Sequence, residues 1–163
     1  MGFNDGMTFY HAIKDETTRF VLYLQLEYVY YQSIGKNLLI EKPEIVEKIN
    51  SLSRKLYIER DDLLPVYKVE LMALLVKLMS LVNPEDELLE ELMKDKSLKV
   101  RLKQKNPQTM NILATYEYGV KLDDEKALNL INEARKFKNK APNLYVQNLE
   151  MKYCDYLENK ILK

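Results

Sequence analysis

Apolar side chains recur along this chain at intervals of three and four, and prolines separate the runs. The spacing predicts a short first helix over 8–13. A long helix then starts at Asp15 or Thr17 and reaches about Ser33, with Phe20, Val21, Leu24, Tyr28 and Tyr31 on its buried side. Gly35 stands where a left-handed residue stops a helix. Pro43 opens a helix whose stripe is Ile45, Ile49, Leu52 and Leu56, after a loop in which Leu38-Leu39-Ile40 needs cover. Residues 58–62 are polar enough to turn. Pro65 opens a strongly apolar helix over 66–82, through Leu71, Leu74, Leu75, Leu78 and Leu81.

The second half reads the same way. Asn83 as N-cap, Pro84 as first helical residue and the acids Glu85, Asp86 and Glu87 mark a helix start. Leu88, Leu89, Leu92 and Met93 supply its face. Ser97 caps a short helix through Leu98, Val100 and Leu102. Asn106-Pro107 repeats the cap-plus-proline signal ahead of Met110, Ile112, Leu113, Tyr116 and Tyr118. Asp123 starts a helix carrying Ala127, Leu128, Leu130, Ile131 and Ala134. Pro142 opens the last, through Leu144, Val146, Leu149, Tyr153, Tyr156, Leu157 and Ile161. Eight or nine helices and no strand follow. Tyr28-Val29-Tyr30-Tyr31 has a strand-like composition, but its helical flanks and the lack of partner strands outweigh it. The expected fold is all-α, a stack of antiparallel helical hairpins.

Composition narrows the picture. A chain of 163 residues with 47% apolar content forms one domain, 1–163, and can bury ~70% of its surface. Lys+Arg and Asp+Glu are 25 each, a balance unsuited to nucleic-acid binding through phosphate charge. One cysteine, Cys154, allows no internal disulfide and suits a cytoplasmic setting. The N-terminus lacks the basic and apolar regions of a signal peptide, and Gly6 breaks the myristoylation pattern. No run of 18 apolar residues occurs. The most apolar stretch, 20–34, is interrupted by Gln25, Glu27 and Gln32, so it reads as a buried helix.

Residues 108–141 resemble one tetratricopeptide repeat. Tyr118 matches the aromatic of the first helix, Ala127 and Ala134 the two small positions of the second, and Ile131 the large residue between them. Leu122-Asp123-Asp124 occupies the turn. Leu122 replaces the usual turn glycine, Asn111 stands at the early aromatic position, and Pro142 falls slightly late. The resemblance implies tetratricopeptide-like hairpins over 108–163 and a groove that receives a protein segment. Its groove-facing residues are Tyr116 on one first helix, and Glu150 and Tyr153 on the next. It implies no cofactor and no metal.

Asn4-Asp5-Gly6, followed by Met7 to Glu16, resembles a junction in bacterial site-2-protease-like membrane metallopeptidases, where an Asp-Gly pair ends the last catalytic membrane motif. In that family the aspartate binds zinc, and a soluble helical tail follows in some members. The resemblance implies that residues 1–16 are a linker or short helix leading into such a cytoplasmic regulatory tail, at the inner face of the membrane. The His-Glu-x-x-His motif is absent here, and Asp5 alone cannot hold zinc.

The remaining chemistry is sparse. His11 with Asp15 four residues on forms a helical His–carboxylate pair, but no nucleophile pattern accompanies it. Cys154 lies among Tyr153, Tyr156 and Leu157 with no basic neighbour to favour thiolate. Glu85, Asp86, Glu87, Glu90 and Glu91 include no Glu-x-x-His element and read as a solvated helix start. The run Lys94 to Lys105 holds six bases and one acid; it reads as a solvated face, or as a patch for anionic lipid headgroups. Twelve tyrosines and no tryptophan are unusual. Tyr23, Tyr28, Tyr30 and Tyr31 cannot all face one core from a single helix. With no glycine-rich loop, metal cluster or triad, the expectation is a non-enzymatic scaffold that binds a protein segment between helices. The cytoplasmic tail of an intramembrane metallopeptidase is the alternative.

Overall fold

Six of the helices start where a side-chain oxygen accepts a bond from a free amide of the first turn. The computed structural model describes residues 13–61 and 65–163 and is helical, with no strand among them. The junction Asn4-Asp5-Gly6, His11 and most of the expected first helix lie outside those residues. The helices are α1 (Glu16–Ser33), α2 (Leu38–Glu41), α3 (Val46–Glu59), α4 (Pro65–Val82), α5 (Glu87–Lys94), α6 (Lys96–Arg101), α7 (Pro107–Tyr116), α8 (Asp124–Lys136) and α9 (Leu144–Ile161). Among them no helix is long and apolar enough to cross a membrane.

Asn106 caps α7 by accepting from Thr109 N at 2.9 Å, with Pro107 as first helical residue. Asp123 caps α8 through Lys126 N at 2.9 Å. Gly35 ends α1 at φ 67°, and Lys36 N reaches back to Tyr31 O at 2.8 Å, the bond of a Schellman stop. Pro43 begins a short 3-10 turn that leads directly into α3.

Two caps and one helix start differ from the sequence expectation. Asp86, not Asn83, caps α5, accepting from Leu88 N at 3.0 Å. Asn83 instead closes a separate turn, accepting from Asp86 N through its carbonyl, while Arg54 pairs with the Asp86 carboxylate. Asp95, not Ser97, caps α6 through Leu98 N at 2.9 Å. Asn143 caps α9, one residue after Pro142. In each case a side-chain oxygen one to three residues from the expected position bonds the free amide.

Two helices organise the interior. α4 is apolar around most of its circumference, and its residues 71–80 are buried apart from a half-open Leu74. α7 buries eight of its ten residues. One face of α4 packs with α5, α6 and α7 in a cluster that includes Leu75, Met79, Leu89, Leu98 and Tyr116. Its Leu78 packs instead with Phe20 of α1 and with Val46 and Ile49 of α3. The opposite face of α7 joins α8 and α9 through Ala114, Ile131, Ala134, Tyr153 and Leu157. Ala114, Ala127 and Ala134 are fully buried, so α7 and α8 approach closely. α9 rests on both of them and also meets α1.

Between α7 and α8 the chain widens into a π turn over Glu117–Lys121. Gly119 allows this turn to press on α4, because a Cβ there would lie 2.0 Å from the Ser80 carbonyl oxygen. Leu122 then takes the left-handed conformation at φ 54° with its side chain 80% exposed. A leucine gains nothing there to offset the steric cost of that backbone.

The two positions should respond in opposite directions. Leu122→Gly should raise unfolding stability by about 1 kcal/mol. Gly119→Ala should lower it by about 2 kcal/mol or more, because the obstacle is backbone. Urea denaturation of both variants beside the parent chain measures these shifts.

Candidate functional site

The three residues expected to line one groove fall in two places. Glu150 and Tyr153 come together at the seam of α4, α7 and α9. Tyr116 packs into the cluster of α4, α5 and α6.

At the seam, polar side chains meet away from water. Asn111 of α7 is fully buried. Its Nδ2 donates to the Glu150 carbonyl at 3.0 Å and to Glu150 Oε2 at 2.8 Å, and its Oδ1 accepts from Cys154 Sγ at 3.1 Å. Thr115 Oγ1 lies 2.6 Å from the Asn111 carbonyl and 2.9 Å from the Tyr153 hydroxyl. Donating its one proton to the carbonyl leaves Tyr153 to donate to Thr115. Lys77 of α4, only 8% exposed, sets its Nζ 3.8 Å from the Tyr153 ring centroid and 4.0 Å from Glu150 Oε2. The ring face and the carboxylate together compensate the buried ammonium.

Tyr153 is therefore an interior residue with its hydroxyl bonded inside, not a side chain standing in an open groove. Glu150 is held by Asn111 and Lys77. Burial pushes the Tyr153 phenol well above the usual tyrosine range. Burial also pushes the Cys154 thiol up to about 11, so it stays protonated at neutral pH and serves as a donor to Asn111. Nearby on the surface, Arg135 forks onto Glu158 at 2.6 and 3.0 Å and reaches Asp155 at 2.9 Å, tying α8 to α9. That guanidinium holds the Glu158 carboxyl below the usual carboxylate range.

Tyr116 lines a different feature. A cleft of about 440 Å³ opens between α5 and the π turn. Leu89, Tyr116 and Val120 form its apolar side, and Glu85, Glu90 and Lys94 stand on its rim. The π turn brings Val120 beside Tyr116 by packing tightly on α4 at Gly119.

The basic run divides. Arg101 is committed to Glu70, at 2.6 Å, and to Thr109, also at 2.6 Å; Lys94 pairs with Glu90 at 3.4 Å. Lys96, Lys99, Lys103 and Lys105 are exposed. Among the described residues no group of three or more His, Cys, Asp or Glu side chains is placed to hold a metal ion. On α1, Tyr23 and Tyr30 are exposed and Tyr31 is half-buried, so these three do not share a buried face.

Sequence reasoning missed Lys77, Asn111, Thr115 and Gly119. Lys77 carried a signal, being the one charge between Leu71 and Val82. Asn111 carried another, a polar residue where the repeat pattern wants an aromatic. Comparison with known proteins finds no matching family model, no similar curated protein and no similar solved structure.

Titration of the buried groups should show in stability. A group whose pKa is raised by folding stabilises fully below its unfolded value and loses that contribution as pH climbs through the folded one. For Cys154 the window runs from its ordinary value of 9.0 to about 11. Urea midpoints should fall across this window, and Cys154→Ala should flatten part of the fall. An unchanged slope in the variant would place the thiol in contact with solvent.

Proposed function

We propose that the chain is a helical protein-interaction module that receives a segment of another protein in the cleft beside Tyr116. The observation that carries this reading is the cleft itself. It has an apolar floor of Leu89, Tyr116 and Val120, a charged rim, and walls made by a capped helix and a tightly packed π turn. Rigid walls lower the entropy lost on binding, and an apolar floor with a polar rim is the usual anatomy of a peptide-binding surface.

The likeness of 108–141 to a tetratricopeptide repeat supports the same class of function. Its two small positions, Ala127 and Ala134, lie buried in the α7–α8 hairpin, and α9 packs on both members of that hairpin. Helices stacked in this way leave concave surfaces between them.

Peptides selected by display against the folded chain, then mapped by backbone amide shifts, test the reading. Shifts are expected over residues 85–94 and 116–121. Val120→Ser should weaken such peptides at least tenfold, about 1.4 kcal/mol, in a chain that circular dichroism shows to be still folded at the assay temperature. Peptides that map to other surfaces, or that bind the variant as well as the parent, would overturn it.

A further inference from the structure

The cleft at Tyr116 is one of two that flank α5. The second, of about 550 Å³, lies between α3 and α5, with Tyr57, Ile58 and Leu88 as its apolar side. Glu87 and Glu91 line both clefts. Helical spacing explains the sharing. Residues four apart stack on one face, so these two carboxylates form a ridge one turn long. Leu88 falls to one side of the ridge, in the second cleft, and Glu90 to the other, on the rim of the first. Each apolar side therefore adjoins the same pair of carboxylates.

The charge on this ridge is uncompensated. Arg54 pairs with Asp86, and Lys94 with Glu90. Lys121 and Lys68 stand by the tyrosine rings, 5.7 Å from the Tyr116 centroid and 5.5 Å from that of Tyr57. Glu85, Glu87 and Glu91 are exposed and enter no ion pair among the described residues. Their field reaches the second cleft, where burial, then the Asp95 and Glu91 carboxylates, push the Tyr57 phenol above its ordinary 10.0. Among the described residues no three of the acids are placed to share a metal ion. Acids in the first turn stabilise a helix start, which accounts for Glu87 and Glu90. It does not account for Glu91, further along the helix, or for the apolar surface on both flanks of the ridge.

Resting on the reading of the Tyr116 cleft as a site for a protein segment, we propose that the two clefts are halves of one site, and that it takes a segment rich in lysine or arginine. The segment crosses α5 with its basic side chains over Glu87 and Glu91 and one apolar side chain in each cleft. Long basic side chains suit this place, because their methylene stems cover apolar surface while their heads reach the carboxylates. The dimensions set the spacing. A helix is ~10–12 Å across with its side chains, and three extended residues span ~10 Å. Apolar residues three apart, with two bases between them, match that distance.

Three synthetic peptides with Gly-Ser arms test this, with the cores Leu-Lys-Lys-Leu, Leu-Gln-Gln-Leu and Leu-Glu-Glu-Leu. Each is titrated into the full chain, and backbone amide shifts give both place and affinity. The lysine core is expected to shift residues 54–58 together with 85–94 and 116–121. It should bind about fivefold more tightly than the glutamine core, as two exposed ion pairs allow, and the glutamate core more weakly than either. Raising salt from about 0.05 to 0.5 M should remove the difference. Glu87→Gln combined with Glu91→Gln should remove it too, leaving the glutamine core's affinity unchanged. Ile58→Ser, at an exposed position, should weaken the lysine core and erase the shifts at 54–58 alone. Equal binding of the lysine and glutamine cores at the clefts would overturn the partner's charge and leave the Tyr116 cleft as a peptide site. Shifts confined to 85–94 and 116–121 would overturn the joining of the two clefts. No shift in either cleft from any core would overturn both the inference and the peptide site beneath it.

Discussion

α7 has almost no face left for water, and that constraint governs the rest of the molecule. A buried polar side chain costs free energy unless it is bonded, and α7 carries three that are fully buried: Thr109, Asn111 and Thr115. Each bonds a different neighbour. Thr109 accepts from Arg101 of α6, Asn111 engages Glu150 and Cys154 of α9, and Thr115 meets the Tyr153 hydroxyl. Slipping α7 by one residue would break all three of these ties at once, leaving Thr115 only its bond to the Asn111 carbonyl within the helix. Apolar packing alone tolerates small rotations, whereas bonds of fixed length and direction select one register.

The surfaces available for function follow from that register. With α7 held, the π turn at its end meets α4 at Ser80, and only a glycine fits the contact. The turn then sets Val120 beside Tyr116 and forms one wall of the cleft against α5. On the other side the same register aligns Asn111 with Glu150 and Lys77, so polar groups of three helices satisfy one another. The interior is therefore held in register where polar bonds cross it.

Local chemistry was well written into the sequence. The stop at Gly35, the cap at Asn106, the start at Asp123 and the buried pair Ala127 and Ala134 follow from rules that act within a few residues. The shifted caps at Asp86, Asp95 and Asn143 show where local rules compete, because several oxygens can serve one helix start and tertiary ties such as Arg54–Asp86 choose among them. Tyr153 and Tyr116 illustrate what periodicity could not resolve. Spacing marks which face of a helix is buried, but it does not tell an inner wall from an open groove, since both carry aromatics. The partners of Asn111 and Lys77 lie 39 and 73 residues away in the sequence. Only the tertiary arrangement brings those groups together.

The central claim is that directional polar bonds fix α7 against α9. A double-mutant cycle on Thr115→Val and Tyr153→Phe, read by equilibrium unfolding, tests it most directly. A coupling energy of about 1 kcal/mol between the two positions is expected, as for a buried hydroxyl pair. Strict additivity of the two losses would contradict the account and leave the seam to apolar packing alone.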